Sequence, residues 1–149
     1  MKKSTVAFII LILILGGYFA YDAQWGRSFF LGLFSEDKKI INDHALSFME
    51  DIKFKDFEKA ATYHSPNDQK KVNIPQLIEK LFKIKPELLD IMDYKILETS
   101  LDSSKKRGRV KINTKVHTLN SGEIKRPEMI LYFHNKTGKW FMELESSLR

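Results

Sequence analysis

The stretch Arg107–Leu119, RGRVKINTKVHTL, alternates polar and apolar side chains with a period of two residues. Successive side chains of a β-strand point to opposite faces, so Val110, Ile112, Thr114 and Val116 are predicted to pack inward. One buried face and one solvent-exposed face are typical of a strand in an antiparallel sheet. The side chains predicted to face solvent are Arg109, Lys111, Asn113, Lys115 and His117.

Shorter alternating segments flank this strand and predict a four-stranded sheet. Tyr94–Leu101 precedes it, and Glu128–Asn135 and Trp140–Ser146 follow it. Asn120–Gly122 is predicted to be a turn. Asn135–Gly138 is a hairpin signal, because its glycine adopts a positive φ at no steric cost.

Helical periodicity dominates the chain before these strands. Ser35 is predicted to cap a helix that runs to about Ile52. Asp56 is predicted to cap a second, short helix, which Ser65–Pro66 ends, with a polar loop over residues 65–71. The apolar stripe of the first helix is Ile41, Ala45, Phe48, Met49 and Ile52.

A third helix is predicted to begin after its cap, Asn73, with Pro75 in the first turn, where the missing N–H costs nothing. Glu87–Met92 predicts one or two further helical turns. Three helices followed by four antiparallel strands place the domain in the α+β class. The face of the third helix predicted to be buried is Leu77, Ile78, Leu81 and Phe82.

Three segments resemble the nuclear transport factor 2-like superfamily, also called cystatin-like or SnoaL-like. Ala45–Phe48 followed by Lys55–Ala61 is similar to its opening pattern, A-x-x-F and then G/K-D-Y/F-x-x-A. The second segment is the alternating strand Val110–Val116. Ile130–Phe133 with Gly138–Met142 is similar to the family's ending of a strand, a turn and G-K-W.

The resemblance covers about residues 40–148 and implies a cone-shaped domain, in which a curved four-stranded sheet wraps three helices. Its motifs are structural, so it implies a fold more than an activity. Small membrane-anchored bacterial members share the layout of one N-terminal helix and one such domain. The inner-membrane scaffold subunit of type IV secretion systems shares it too, but its Asn-Pro-x-Gly segment is missing here.

An uncharged apolar segment, Val6–Tyr21, lies near the start of the chain. As a helix it would span roughly 24 Å at about 1.5 Å per residue, near the lower limit for a bilayer core of about 30 Å. Lys2 and Lys3 can snorkel to close the gap. We therefore predict a transmembrane anchor over residues 1–22 that contacts the membrane through residues 5–21.

Two alternatives remain open for this segment, a cleaved signal peptide and a buried core helix. Cleavage after Ala20 or Ala23 would put Tyr18 or Tyr21 where a small residue is preferred. The basic residues before the segment predict a cytoplasmic N-terminus and an extracytoplasmic C-terminal domain, in a periplasm or its equivalent.

Gln24–Phe34 is a second apolar cluster, too short to span a membrane. We predict an interfacial or linker segment over residues 23–35, followed by the α+β domain over residues 36–149. The alternatives are that this cluster begins the domain core or continues the anchor as a kinked helix.

Charge is unevenly distributed along the chain, whose net charge is +6 and which has no cysteine. Leu101–Arg126 carries eight basic residues against Asp102 and Glu123. A basic patch suits an acidic partner or anionic lipid, whereas nucleic acid is not predicted because no binding motif accompanies it. Lys111 and Lys115 could instead pair with Glu143 and Glu145 across strands. The predicted binding residues are Arg109, Lys111, Lys115 and His117.

Enzymatic members of the superfamily hold Asp, His or Tyr in the cone. Here His44 lies on the same side of its helix as Ile41 and Phe48, so its side chain is predicted to point inward. His44 and Tyr94 are the residues of a possible pocket. His64 is interpreted as a partner of a helix C-terminus. No metal is predicted, because the four histidines lack metal-ligand spacing. No cofactor is predicted, and the chain has no Gly-rich phosphate loop or Walker pattern. The acid–base candidates are Asp43, His44, His64, Asp93, Tyr94, His117, Tyr132 and His134, of which His117 and His134 are predicted to be exposed.

Two functions are compatible with these features. The first is a non-catalytic, membrane-tethered interaction or assembly module of the cell envelope, whose sheet face contacts a second copy or another envelope protein. The second is a cone-pocket protein that binds or isomerises a small apolar ligand. An open cavity of a few hundred cubic ångströms with His44 at its wall would favour the second. The side chains predicted to fill a closed cone are Phe48, Phe57, Phe82, Phe133 and Trp140.

Overall fold

A computed structural model describes residues 36–143. The predicted anchor, the segment over residues 23–35, the Ser35 cap and the end of the last predicted strand lie outside this range. Among the described residues, no helix is both long and apolar enough to cross a membrane. Within the described range, residues 38–143 belong to one compact unit.

The predicted helices are confirmed within this range. Helix α1 occupies residues 36–53 and buries the predicted apolar stripe. Helix α2, Phe57–Ala61, begins where the Asp56 carboxylate accepts a hydrogen bond from Lys59 N, at 3.2 Å. Helix α4, Ile74–Phe82, begins with the same type of cap, from Gln76 N to Asn73 Oδ1 at 3.1 Å. These caps satisfy backbone donors that a helix start leaves unpaired.

One local prediction is wrong and a second is correct only in part. Residues 66–69 form a short helix, α3 (Pro66–Gln69), where a loop was predicted. Proline at the first helical position presets φ, and the Ser65 hydroxyl donates to the Asp68 carboxylate at 2.5 Å. Of the segment Glu87–Met92, predicted to form one or two helical turns, only Glu87 and Leu88 are helical. They belong to a single 3₁₀ turn, Pro86–Leu88, which leads directly into strand β1, Leu89–Leu101.

The strands form one antiparallel sheet in the order β1-β2-β4-β5, where β2 is Arg107–Thr118, β4 is Glu128–Lys136 and β5 is Lys139–Glu143. A short strand that was not predicted, β3 (Glu123–Lys125), pairs with the end of β2. The domain is therefore α+β, with an antiparallel sheet and few helices.

Strand β1 is longer than predicted because β2 extends far enough to pair with its first residues. Leu89 lies opposite Thr118 and Ile91 opposite Val116, and both apolar side chains are buried. The register shifts after Ile91 and again after Ile96, which marks two β-bulges. Bulges bend a strand and increase its twist.

The hairpin between β4 and β5 is confirmed. Thr137 and Gly138 have φ of 53° and 83°, the signature of a two-residue type I′ turn. Asn135 supports this turn by accepting a hydrogen bond from Gly138 N at 2.9 Å.

The core lies on the inward face of the sheet, where Val110, Ile112, Thr114 and Val116 are buried as the alternation predicts. The opposite face carries side chains that are exposed or half-buried. We call it the outer sheet face. Of the predicted core fillers, Phe57 is half-buried and the fully buried ones are Phe48, Phe82, Phe133 and Trp140.

Candidate functional site

The outer sheet face brings the four predicted binding residues into one row along β2. Arg109 Nε donates to Ser100 Oγ at 2.8 Å, and a terminal nitrogen of the same guanidinium lies 3.8 Å from Glu98. His117 Nδ1 lies 3.8 Å from the Asp90 carboxylate. Exposed ion pairs of this kind contribute only about 0–1 kcal/mol each. The row is therefore present but is not purely basic.

The acidic residues come from β1, which runs beside the row. Asp90 is opposite His117, Asp93 is opposite Lys115, and Glu98 is opposite Lys111. The outer sheet face thus carries an acidic column on β1 next to a basic column on β2. We define the acidic column as Asp90, Asp93 and Glu98, and the basic column as Arg109, Lys111, Lys115 and His117. Exposed Lys95, opposite Asn113, lies between Asp93 and Glu98 on the same face, so the β1 side is acidic in net charge but not purely acidic.

The predicted pairing of Lys111 with Glu143 is wrong. Lys111 Nζ lies 2.6 Å from Glu128 on β4. Tyr132 on β4 lies opposite Arg109 on one side and opposite Glu143 on the other, whereas Lys111 lies opposite Ile130. Glu143 is therefore in line with Arg109 and not with Lys111. Glu145, the predicted partner of Lys115, lies outside the described residues.

A groove with a volume of about 420 Å³ separates the start of α1 from the β4–β5 hairpin. It has His44 in its wall and is open to solvent. We call it the His44 groove. Its lining residues are Ile40, His44, Thr62, Tyr63, Gly138, Lys139, Trp140 and Phe141.

His44 is half-buried, and its Nδ1 atom is buried without a hydrogen-bond partner among residues 36–143. Its ring lies 5.7 Å from the ring of Tyr63, centroid to centroid. Burial lowers the pKa of His44, and the nearby Asp43 carboxylate opposes this in part. The imidazole is consequently neutral at pH 7 and can accept or donate one proton at the groove wall.

The Tyr63 hydroxyl belongs to a polar cluster that the sequence analysis did not predict. Asp51 on α1 is only 4% exposed, and it accepts hydrogen bonds from the Tyr63 hydroxyl at 2.9 Å and from Lys59 Nζ at 2.8 Å. Burial, followed by the bond to Asp51, raises the pKa of Tyr63. Asp51 lies seven residues after His44, which places both on one side of α1. That spacing is the sequence feature that could have predicted an acidic side chain on the same side of α1 as His44.

Tyr94 does not line the His44 groove, so the structure separates the two predicted pocket residues. The Tyr94 hydroxyl is hydrogen-bonded to the Glu50 carboxylate on α1, and Lys53 Nζ lies 6.0 Å from the ring centroid. Burial, followed by the bond to Glu50, raises the pKa of Tyr94 to about 12. Tyr94 therefore holds α1 against the sheet and stays protonated at neutral pH.

His134, predicted to be exposed, is largely buried, and His64 is buried as well. His64 is completely buried, with Nδ1 3.3 Å from the Ala61 carbonyl that ends α2, and the adjoining backbone bonds to β5 from Met142 N to Tyr63 O at 2.8 Å. The His134 side chain is 12% exposed and lies 3.2 Å from Glu143. Burial lowers the pKa of both histidines; for His134, the charge of Lys136 adds to the effect.

The acid–base candidates do not converge on one pocket, since they are distributed between the groove, the core and the outer sheet face. Among residues 36–143, no group of three or more His, Asp or Glu side chains could hold a metal ion. The sequence matches no protein-family model and no curated protein.

Proposed function

We propose that this protein is a non-catalytic, membrane-tethered interaction module of the cell envelope with a nuclear transport factor 2-like domain outside the cytoplasm. The apolar segment Val6–Tyr21 supports the tether. The order of helices and antiparallel strands, with bulges that bend β1, supports the cone-shaped fold. The occupant of the outer sheet face is a second copy of the chain.

The observation that carries this proposal is the pair of charge columns on the outer sheet face. A two-fold axis that runs along the strands between β1 and β2 would place the acidic column of each copy over the basic column of the other. Two-fold interfaces must be self-complementary, and complementary charge fixes register and suppresses wrong partners. Beside the columns, a hollow of about 460 Å³ lined by Ser100, Arg109, Tyr132 and Glu143, among others, can receive a side chain from the partner.

Charge exchange between the columns tests this interface. The double variant Lys111→Glu, Lys115→Glu and the double variant Asp93→Lys, Glu98→Lys are each expected to weaken self-association at least about tenfold, because like charges then face each other. An equimolar mixture is expected to restore association. The measurement is sedimentation velocity of the full chain in detergent.

Lys80→Glu with Lys85→Glu is the matched control, since both side chains are exposed and the change in net charge equals that of the first variant. If the first variant self-associates as the parent does, the outer sheet face is not the interface. If the parent is monomeric but crosslinks in cells to another envelope protein through Lys111 or Lys115, the partner is that protein and not a second copy.

The tether is tested separately by reporters fused after Arg149, one active only outside the cytoplasm and one only inside. We expect an outside signal in the membrane fraction. An outside signal in the soluble fraction would identify residues 1–22 as a cleaved signal, and an inside signal would overturn the orientation.

The His44 groove favours a second candidate function, the binding of a small apolar ligand. Ile40→Trp is expected to fill the groove and abolish the binding of a fluorescent apolar probe, anilinonaphthalene sulfonate. Leu46→Trp is the control, because Leu46 and Ile40 are both 36% exposed on α1 and Leu46 does not line the groove. Equal probe binding by both variants would exclude this site.

A further inference from the structure

Two hairpins and the start of α1 lie at the same end of the domain. Leu101, Gly108, Phe133 and Met142 are aligned across β1, β2, β4 and β5, so the turns over residues 102–106 and 137–138 extend beyond the same edge. A hydrogen bond of 2.8 Å from Asn135 N to the Lys106 carbonyl joins the two hairpins.

Helix α1 enters the domain at this end. Its residue Asn42 accepts a hydrogen bond from Thr99 Oγ1 at 2.5 Å, near the end of β1. The side chain of Ile41 packs closely on β2: a Cβ added to Gly108 would lie 2.8 Å from Ile41 Cδ1, so a larger residue there would require that side chain to shift. Ile40 also shares the His44 groove with Lys139 of the second hairpin.

Exposed basic side chains from three separate segments meet at this end. We call them the basic end, and they are Lys38, Lys39, Lys106, Arg107, Lys136 and Lys139. The acidic residues near them are Glu36, Asp37 and Asp102. Asp102 is engaged by its own turn, since its carboxylate accepts from Lys106 N at 3.0 Å, from Arg107 N at 3.2 Å and from the Ser104 hydroxyl at 2.7 Å.

The basic end differs from the outer sheet face in how its charges are balanced. Within residues 36–143, no salt bridge joins Lys106, Arg107, Lys136 or Lys139 to an acidic side chain, whereas Arg109 and Lys111 each have one. Lys136 and Lys139 lie directly opposite each other across β4 and β5. Like charges in this position destabilise a sheet, so an external anion would relieve the repulsion.

We propose that the basic end docks on the anionic headgroups of the membrane that anchors the chain. This inference rests on the proposed tether. Fourteen residues, 22–35, separate the apolar segment from α1, and a chain of this length spans at most about 50 Å. The described part of the chain begins at the basic end, at residue 36, so this end lies within reach of the bilayer surface.

Charge complementarity selects a lipid surface as the occupant. Cations supplied by α1 and by both hairpins spread over the whole end of the domain, which suits an extended layer of headgroups. Each Lys or Arg close to an anionic membrane contributes about a fivefold gain in binding, and the gain falls off over a Debye length of about 8 Å at physiological salt. Docking at this end would leave the outer sheet face free for a partner.

Because the chain has no cysteine, single cysteines can report on docking in the full-length protein. A fluorophore on Ser103→Cys labels the basic end, and one on Asn120→Cys labels the opposite end of β2, roughly 40 Å away. The protein is reconstituted into vesicles of phosphatidylcholine, with or without phosphatidylglycerol, that carry a quencher on the headgroups. We expect phosphatidylglycerol to increase quenching at residue 103 and not at residue 120.

The variant Lys136→Gln, Lys139→Gln is expected to reduce the equilibrium constant for docking about 25-fold at low salt, and high salt is expected to abolish docking in the parent. The same variant should be at least as stable as the parent, because it removes a repulsive pair. Lys80→Gln with Lys85→Gln is the matched control. Both residues are exposed and precede the turn whose Leu88 carbonyl accepts from Leu119 N, at the opposite end of the sheet.

The outcomes separate this inference from the proposed tether. If alkaline carbonate extracts the full chain from the vesicles, the tether is wrong and docking cannot be attributed to it. If the chain is retained but quenching at residue 103 does not depend on phosphatidylglycerol or on Lys136 and Lys139, the docking proposal is wrong. A response of the label to polyglutamate, but not to anionic vesicles, would identify an acidic protein as the partner instead.

Discussion

Phe48→Ala is expected to lower the free energy of unfolding by about 3–5 kcal/mol, the usual cost of truncating a fully buried phenylalanine. Phe48 is 0% exposed, at the centre of the apolar stripe of α1. Its ring meets those of Tyr63 and His64 edge-on, each at a centroid distance of 6.4 Å. The cavity would therefore open between α1 and the segment after α2 that is hydrogen-bonded to β5.

Phe54→Ala is the matched control, because Phe54 follows the same helix and is 69% exposed. We expect a change within about 0.5 kcal/mol there, as for most surface substitutions. Urea unfolding followed by circular dichroism measures both variants. Since domains of this size are stable by about 5–15 kcal/mol, Phe48→Ala should also bind a hydrophobic dye more readily. Equal losses for the two variants would contradict the packing described for α1.

Stability is expected to fall as the pH drops below about 6.5. Burial lowers the pKa of His44, His64 and His134, so the folded chain binds fewer protons than the unfolded chain. A histidine with a lowered folded pKa contributes its full stability above the unfolded value of about 6.5 and loses it as the pH falls toward the folded pKa.

The charged groups near these histidines shift the histidine pKa values in opposite directions. Asp43 acts on His44 and Asp68 on His64, and both raise the pKa, as Glu143 does for His134. Lys136 and Arg107 act in the opposite direction on His134. In each case burial is the largest contribution, so the net shift is downward.

His64→Leu tests this pH dependence, since His64 is the most buried of the three and leucine cannot be protonated. We expect the slope of stability against pH between about pH 7 and pH 5 to be smaller in this variant. An identical slope in the parent and in His64→Leu would show that His64 is not one of the groups responsible.

Local sequence signals were sufficient where a few neighbouring residues set the backbone. Asp56 and Asn73 cap their helices through their own side chains, and Asn135–Gly138 forms its turn through its own hydrogen bond. The alternation in β2 likewise determined which side chains of that strand are buried, because the side-chain period of a strand is fixed. These features predicted the α+β class and the row of basic residues.

Strand register was decided only by tertiary structure. The start of β1 at Leu89 and the existence of β3 depend on how far β2 extends, because a strand forms where a partner supplies its hydrogen bonds. The same register gave Lys111 its partner Glu128 and placed Asp93 and Glu98 beside the basic column.

Burial of polar side chains was likewise a tertiary outcome. The sequence placed His64 next to a helix C-terminus, and only the contact of its segment with β5 encloses it in the core. Asp51 is buried because Tyr63 and Lys59, from another element, satisfy its carboxylate. The sequence by itself therefore determined the elements and the inward face of β2. Only the folded chain decided register, charge pairing and the enclosure of its histidines, because these depend on residues far apart in sequence.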